Sequence, residues 1–430
     1  MQYFSTNNPS ERADFKKASV LGQAPDKGLY FPETVPAFEG SWQSLRGLDK
    51  AELAYRVMKP YAAGKIPEAE LRQITAETVD FDFPLVKVSE DIYSLELFHG
   101  PTLAFKDVGA RFMSRCLGYF NKGNHQKVTV LVATSGDTGG AVANGFEKVE
   151  GIEVIILYPS GKVSPVQELQ LTTCADNITA LEVEGSFDDC QAMVKQAFMD
   201  PILNARYQLT SANSINVARW LPQQLYYCFA LQQWPYSKAP VISVPSGNFG
   251  NICAGIMAWA SGLPVHHFIA ACNVNDVVPR FLHSGQYQPR QATPTISNAM
   301  DVGNPSNFVR IMQLFLQDQT RLKNMLSGTT VTDDETRETI SRVYKNYGYT
   351  LDPHGAVGFN ALEGYLQANP GVKGFFLETA HPVKFPEVVE EAIGKKLVIP
   401  QTVSPLFMKE KKSIKMAAGF EALQSYLLGR

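Results

Sequence analysis

The feature that most constrains this chain is an alternation that begins near Val128. Short β-branched runs lead into Gly- or Ser-rich loops, which lead into stretches with helical apolar spacing. This pattern is typical of βα units, in which helices connect parallel strands. The predicted strands are residues 128–132, 154–158, 241–244, 268–271 and 374–377. The sequence therefore predicts an α/β fold with parallel sheets.

The first 90 residues or so follow a different pattern. Acidic and basic residues are mixed among helical patterns at 49–58 and 67–75, and strand signals are few. We expect a separate, mainly helical N-terminal domain there. Residues 284–307 are rich in Pro, Gln, Ser and Asn, so they predict either a lid or a surface loop.

Charge and hydropathy exclude several classes of function. The net charge is -3, with Lys and Arg scattered along the chain, so neither nucleic acid nor an anionic membrane surface is an expected partner. No uncharged apolar run approaches the roughly 18 residues that span a bilayer. The polar, charged start of the chain predicts a cytoplasmic protein. No His, Cys, Asp and Glu cluster has metal-ligand spacing, so no metal site is expected.

A Gly-rich loop follows the predicted strand at 241–244. The sequence Ser-Gly-Asn-Phe-Gly-Asn at 246–251 opens a helical run at 252–260. Its glycines allow several backbone N–H groups to converge on one anion at a helix N-terminus. The spacing matches neither the dinucleotide nor the Walker fingerprint. On its own, such a turn is weak evidence for a phosphate site.

A second loop of this kind occupies residues 134–140, between the strand at 128–132 and a helical run at 141–148. Its hydroxyls and amides suit a carboxylate or another small anion. The alternative is that Ser135 or Asp137 only caps the helix while the glycines turn the chain.

Lys106 follows the short apolar approach Leu103, Ala104 and Phe105. Desolvation lowers the proton affinity of an amine, and the neutral amine is the form that attacks an aldehyde. The setting therefore suits a Schiff-base lysine, although most lysines are solvated and unreactive.

The order of these three motifs resembles fold-type II pyridoxal-phosphate enzymes. Within that superfamily, the segments at 28–32, 98–107, 211–216, 244–250 and 379–382 are similar to the threonine synthase family, and the resemblance runs from about residue 28 to about residue 390. It implies two parallel-sheet αβ domains around a cofactor cleft. The smaller, at 91–235, would carry the lysine motif and the substrate loops, and the larger, at 236–430, the phosphate loop; residues 1–90 would form the N-terminal domain of the family.

The resemblance also implies the cofactor site. Lys106 would hold pyridoxal phosphate as a Schiff base, and Thr379 would lie near the pyridine nitrogen. The cofactor phosphate would be bound at Ser246, Gly247, Asn248, Phe249 and Gly250. Asp137 would lie by the phenolic oxygen, where many fold-type II enzymes carry Asn. A carboxylate beside a phenolate requires a shared proton.

Substrate groups follow from the same resemblance. The positions that would bind the substrate carboxylate are Ser135, Gly136 and Thr138, and those that would bind its phosphate are Asn213, Ser214 and Arg219. Arg grips phosphate bidentately. Lys162 is a second cationic candidate or a solvated loop lysine. For His354 and His381 both a turn-stabilising and a catalytic role stay open.

The implied reaction converts O-phospho-L-homoserine and water to L-threonine and phosphate, the last step of threonine biosynthesis, by γ-elimination and β-addition of water. The Lys106 amine would move protons at Cα and Cβ. Rival functions are serine or threonine dehydration, cysteine synthesis, or non-catalytic binding of an anion. The residues Asn213, Ser214 and Arg219 favour a phosphorylated substrate. The expected oligomeric state is a monomer or a homodimer.

Overall fold

The predicted βα alternation forms two mostly parallel sheets. The computed structural model describes residues 1–62 and 64–430. All five predicted strands are present, each longer than predicted by one to three residues in total. The predicted α/β fold class is confirmed.

The N-terminal region is mainly helical, as expected, and also contains a small antiparallel sheet, in which the strand at Gln2–Ser5 is central. The hydroxyl of Tyr3 donates to the backbone oxygen of Tyr61 at 3.0 Å, which ties this sheet to the helix at Lys50–Ala62. The elements of this region are β1 (Gln2–Ser5), β2 (Arg12–Asp14), α1 (Phe15–Leu21), β3 (Tyr30–Pro32), α2 (Trp42–Arg46), α3 (Lys50–Ala62), α4 (Glu68–Thr78) and β4 (Leu85–Lys87).

The middle of the chain contains the lysine motif at the start of a helix and four consecutive βα units. Its elements are β5 (Ile92–Glu96), α5 (Lys106–Asn121), β6 (Val128–Ala133), α6 (Asp137–Phe146), β7 (Ile152–Pro159), α7 (Pro165–Thr172), β8 (Ile178–Glu184), α8 (Phe187–Met199), α9 (Pro201–Arg206), β9 (Gln208–Ser211), α10 (Val217–Trp220) and α11 (Gln224–Gln233).

The last part of the chain adds five more strands and eight helices. They are β10 (Val241–Pro245), α12 (Gly250–Ala260), β11 (His267–Cys272), α13 (Val277–Ser284), α14 (Phe308–Leu314), α15 (Gln319–Met325), β12 (Leu326–Thr330), α16 (Asp333–Tyr347), α17 (Pro353–Ala368), β13 (Gly374–Glu378), α18 (Pro386–Ile393), β14 (Ile414–Ala417) and α19 (Phe420–Leu428). Single 3-10 turns lie at Leu221–Gln223, Asn298–Met300, Pro382–Lys384 and Ser404–Met408.

The larger sheet has six strands in the order β12-β11-β10-β13-β5-β4, and only β4 is antiparallel to its neighbour. The smaller sheet has the order β14-β8-β7-β6-β9 and is parallel throughout. Every residue of β6, β10, β11 and β13 is buried. Such strands have both faces covered, which explains their continuous apolar sequences.

The two sheets do not divide the chain at residue 235. Strand β5, from the predicted smaller domain, lies in the larger sheet between β13 and β4. Strand β14, from the predicted larger domain, pairs with β8 at the edge of the smaller sheet. The domain limits stay predictions, but neither sheet is built from one continuous segment. Across residues 1–62 and 64–430, we find no helix with the length and apolarity needed to cross a membrane.

Candidate active site

Four loops at the carboxyl ends of parallel strands meet at one cavity of about 710 Å³. They follow β6, β9, β10 and β13. In parallel sheets this edge is where helix N-termini and variable loops face a ligand. The predicted site residues that line the cavity are Lys106, Ser135, Thr138, Asn213, Ser214, Arg219, Gly247, Asn248, Phe249, Gly250, His354 and Thr379.

Lys106 is the first residue of α5 and is partly exposed to the cavity. The approach to it is held against the loop after β13, because the Phe105 amide donates to the Thr379 oxygen at 2.9 Å and the His381 amide donates to the Leu103 oxygen at 3.0 Å. Burial lowers the pKa of Lys106 to about 8, and nearby Asp137 only partly opposes this. At pH 7 about a tenth of the amine is therefore neutral, far more than in an ordinary lysine.

The loop at 246–251 forms an anion cradle at the start of α12. Phe249 adopts a left-handed conformation (φ 62°), and in the described part of the chain no acceptor pairs with the backbone N–H groups of Gly247 to Gly250. A Cβ at Gly247 would lie 2.7 Å from the Cα of Met300. Ser246 lies outside the cavity lining, and its amide and hydroxyl bond the oxygens of neighbouring strands. Free amides at a helix N-terminus suit a phosphate.

The polar segment at 284–307 is a wall of this cavity. The side-chain oxygen of Asn248 accepts from the Ser306 amide at 2.6 Å, and Asn307 donates to the Asn248 backbone oxygen. The Ala299 amide donates to Nε2 of His354 at 3.2 Å. The second half of the segment is thus hydrogen-bonded to the anion cradle and to His354, while residues 288–291 are exposed at the surface.

The loop at 134–140 is organised by Thr134, which was not among the predicted site residues. Its hydroxyl accepts from the amides of Gly136 and Gly139 at 2.9 and 2.8 Å. Gly136 has a φ of 135° and lies against the Gln167 side chain, so it shapes the loop without lining the cavity. Ser135 and Thr138 remain on the cavity side, where they can bind a carboxylate.

Asp137 does not line the cavity either, because a buried lysine engages it. The Nζ atom of Lys384 lies 2.8 Å from Oδ1 of Asp137, and the side-chain Nε2 of Gln167 donates to the same oxygen at 2.9 Å. Burial opposes ionisation, yet Lys384 and Lys106 hold the pKa of Asp137 below its usual range. Lys384 was missed because a lysine is almost never expected to be fully buried.

The predicted phosphate-binding residues sit together after β9. Arg219 is buried, and its NH1 group donates to the Ala212 oxygen. Three buried side-chain atoms of cavity-lining residues here have no protein partner within the described ranges: Nε of Arg219, Oδ1 of Asn213 and Oε1 of Gln223. The hydroxyl of Ser214 instead accepts from Asn248 Nδ2 at 2.7 Å, which links this loop to the anion cradle.

Arg310 holds this loop from outside the cavity and was also missed. Its buried guanidinium donates twice to the Tyr30 oxygen, at 3.1 and 2.9 Å, and once each to the oxygens of Ser214 and Ile215. It lies over the Trp220 ring, 4.3 Å from the centroid. The N-terminal sheet is therefore tied to the wall of the cavity. In sequence, Arg310 looks like any polar residue of a helix.

The structure does not bring Lys162 to the cavity. It follows a tight turn directly after β7, in which Gly161 has a φ of 67° and the Lys162 amide donates to the Pro159 oxygen. Its side chain is exposed, as in the solvated alternative.

The two histidines have different settings. Nδ1 of His381 accepts from the Val383 amide at 3.1 Å and starts the 3-10 turn at Pro382–Lys384, as in the turn-stabilising alternative. His354 lines the cavity, and its Nδ1 is 2.6 Å from buried Asp352. Among residues 1–62 and 64–430 there is no group of three or more His, Cys, Asp or Glu side chains placed to hold a metal ion.

Comparison with known families gives three matches. Residues 2–79 match the family described as threonine synthase N terminus, residues 83–373 match pyridoxal-phosphate dependent enzyme, and residues 355–427 match threonine synthase, C-terminal. Together they extend from the N-terminal sheet to α19.

Individual proteins are similar over the same length. The threonine synthase of Haemophilus influenzae is 43% identical over 430 residues and covers 100% of both chains. The crystal structure of threonine synthase from Escherichia coli has a TM-score of 0.93 at 41% identity, covering 100% of each chain. The PLP-bound threonine synthase from Brucella melitensis has a TM-score of 0.91 at 35% identity, covering 99% of this chain and 98% of the other.

Proposed function

The chain belongs to the threonine synthase family, and we propose that it converts O-phospho-L-homoserine and water to L-threonine and phosphate at the cavity around Lys106. It is a lyase that depends on pyridoxal phosphate, as the motifs predicted. We also propose a cytoplasmic location and a monomeric or homodimeric state.

The described residues fit the cofactor. The free amides of Gly247 to Gly250 would hold its phosphate. Thr379 lines the same cavity as Lys106, and its backbone oxygen accepts from the amide of Phe105, the residue before Lys106. Lys106 is the residue that would hold the cofactor covalently, through its side-chain nitrogen at the cavity. When bound, the cofactor supplies an electron sink for charge that develops on the substrate.

The observation that carries the choice of substrate is the unpartnered buried Nε of Arg219. A buried guanidinium N–H without an acceptor costs free energy unless a ligand supplies one. Burial lowers the pKa of Arg219 to about 10, so the group is still a cation at neutral pH. A dianionic phosphate on the substrate would satisfy it with charge-assisted hydrogen bonds.

The remaining residues at the cavity would make the other contacts with the substrate. Ser135 and Thr138 would bind the substrate carboxylate through the loop that Thr134 organises. Lys106, once free, would take protons from Cα and Cβ as phosphate leaves Cγ, and return protons to Cγ and Cα around water addition at Cβ.

The reaction is tested by following phosphate release and threonine formation from O-phosphohomoserine. We expect equal amounts of the two products. Phosphate without threonine, or conversion of serine or threonine to keto acids as the main activity, would replace this proposal with a dehydratase on the same fold.

Arg219→Ala tests the phosphate contact. We expect a loss of about 2 kcal/mol or more in substrate interaction, which is about thirtyfold in kcat/KM, because a charge-assisted pair is lost. Cofactor affinity should change far less. Arg321→Ala is the matched control, since Arg321 is exposed on α15 and does not line the cavity. Equal losses for substrate and cofactor would remove Arg219 from the phosphate site.

A further inference from the structure

Lys384 is a fully buried lysine in contact with the candidate site. Its side chain is 0% exposed and that of Asp137 is 4% exposed, with Nζ and Oδ1 2.8 Å apart. The ammonium also donates to the backbone oxygen of Thr102 at 2.8 Å. Two buried charges at this distance are strongly coupled, because little solvent screens them.

The pair lies beside the reactive amine. Asp137 and Lys384 both act on the proton affinity of Lys106, with opposite signs, and Arg219 acts in the same direction as Lys384. The remaining nearby carboxylate, Asp107, accepts from the amide and hydroxyl of Thr102. Gln167 completes the shell of Asp137 as a neutral donor.

From this geometry, and on the basis of the function proposed above, we propose that Lys384 is a positioning residue that keeps Asp137 anionic and so sets how tightly the Lys106 nitrogen holds its proton. Without Lys384, the negative charge of Asp137 would act on Lys106 unopposed by its partner and would hold a proton on the Lys106 nitrogen. With Lys384 as its partner, the two charges together are neutral towards Lys106.

The pair also explains how Asp137 can occupy a loop position where many fold-type II enzymes carry Asn. The proton that such a carboxylate would otherwise have to share is carried by Lys384. A purely structural role is the alternative, since the contact of Lys384 with Thr102 ties the 3-10 turn at Pro382–Lys384 to the lysine motif.

The two roles are separated by titrating the visible absorbance of the holoenzyme, which reports protonation of the Lys106 nitrogen when the cofactor is attached. In Lys384→Met the unpaired Asp137 anion should raise the midpoint pH by about one to three units. In Asp137→Asn the midpoint should fall, because the anion is lost and a cation remains. The double variant, neutral at both positions, should return close to the wild-type midpoint.

Lys384→Arg is the conservative control and should keep the wild-type titration, because it keeps the charge. If Lys384 only holds the 3-10 turn in place, the midpoint pH should not shift in opposite directions in the two single variants, and it should not return to the wild-type value in the double variant. An unchanged midpoint in Lys384→Met, or shifts of the same sign in both single variants, overturns the inference. If Lys384→Met does not fold, Asp137→Asn and the double variant still test the direction in which the midpoint pH shifts. A wild-type protein without a visible cofactor band would refute the proposed function instead.

Discussion

Gly247 is the position where a single methyl group should weaken the cofactor site most directly. Its φ is not in the left-handed region, so alanine is acceptable to the backbone itself. The added Cβ, however, would lie 2.7 Å from the Cα of Met300, and an ordinary contact begins near 3.4 Å, so one backbone has to move by about 0.7 Å.

The wall residues cannot easily yield to this methyl group. The Ala299 backbone amide donates to His354 Nε2, and Oδ1 of Asp301 accepts from the side-chain Nδ2 groups of Asn273 and Asn275 at 2.9 and 3.0 Å. The cradle should move instead and lose one charge-assisted hydrogen bond to the cofactor phosphate. Such a bond contributes about 1.5–3 kcal/mol, so we expect the Kd of pyridoxal phosphate to rise by about tenfold to about a hundredfold.

The assay is a titration of apoprotein with pyridoxal phosphate, followed by absorbance. Gly364→Ala is the matched control, because a Cβ at Gly364 in α17 meets nothing within 4 Å. That variant should bind the cofactor normally and be slightly more stable, as alanine is the better helix former. An unchanged Kd in Gly247→Ala would show that the cradle is not where the phosphate binds.

Two further predictions concern Lys106 and Arg310. Only the neutral amine attacks an aldehyde, so the rate of cofactor uptake by apoprotein should rise about tenfold per pH unit at low pH. The rate should level off above a pH of about 8, which is the lowered pKa of Lys106. A rate that still rises near pH 10 would mean that Lys106 is an ordinary lysine. Arg310→Lys keeps the charge but loses the fork that joins Tyr30 to Ile215, so we expect a loss of about 3 kcal/mol in the free energy of unfolding and a Tm lower by about 3 °C. In thermal unfolding, a change no larger than that of Arg321→Lys would contradict this.

The sequence predicted the central strands and missed the peripheral ones. Strands such as β6 and β10 are continuous apolar runs because both faces are buried. Strand β8 mixes Thr and Glu with its apolar residues, and β14 exposes three of its four residues. These patterns do not differ enough from those of loops. Pairing with a distant strand, which sequence periodicity does not encode, makes them strands.

The candidate site also contains residues that the sequence predicted and residues that it missed. Loops such as 246–251 were found because glycines and a helix start leave a local pattern. Lys384 and Arg310 leave none, since their roles come from partners far away in the chain: Asp137 for one, Tyr30 for the other. The opposite error occurred at Lys162, where a strand end gave the right location but a tight turn keeps the side chain exposed.

The exchange of strands between the two sheets has a consequence for how the protein is made. Ile92 in β5 pairs with Gly374, 282 positions further along the chain (374 − 92). Strand β14 caps the other sheet later still. A nascent chain leaving the ribosome therefore presents unpaired strand edges in both layers until nearly all of it has been synthesised. Contacts so distant in sequence are slow to form, so the cofactor cannot find a finished site before translation is almost complete.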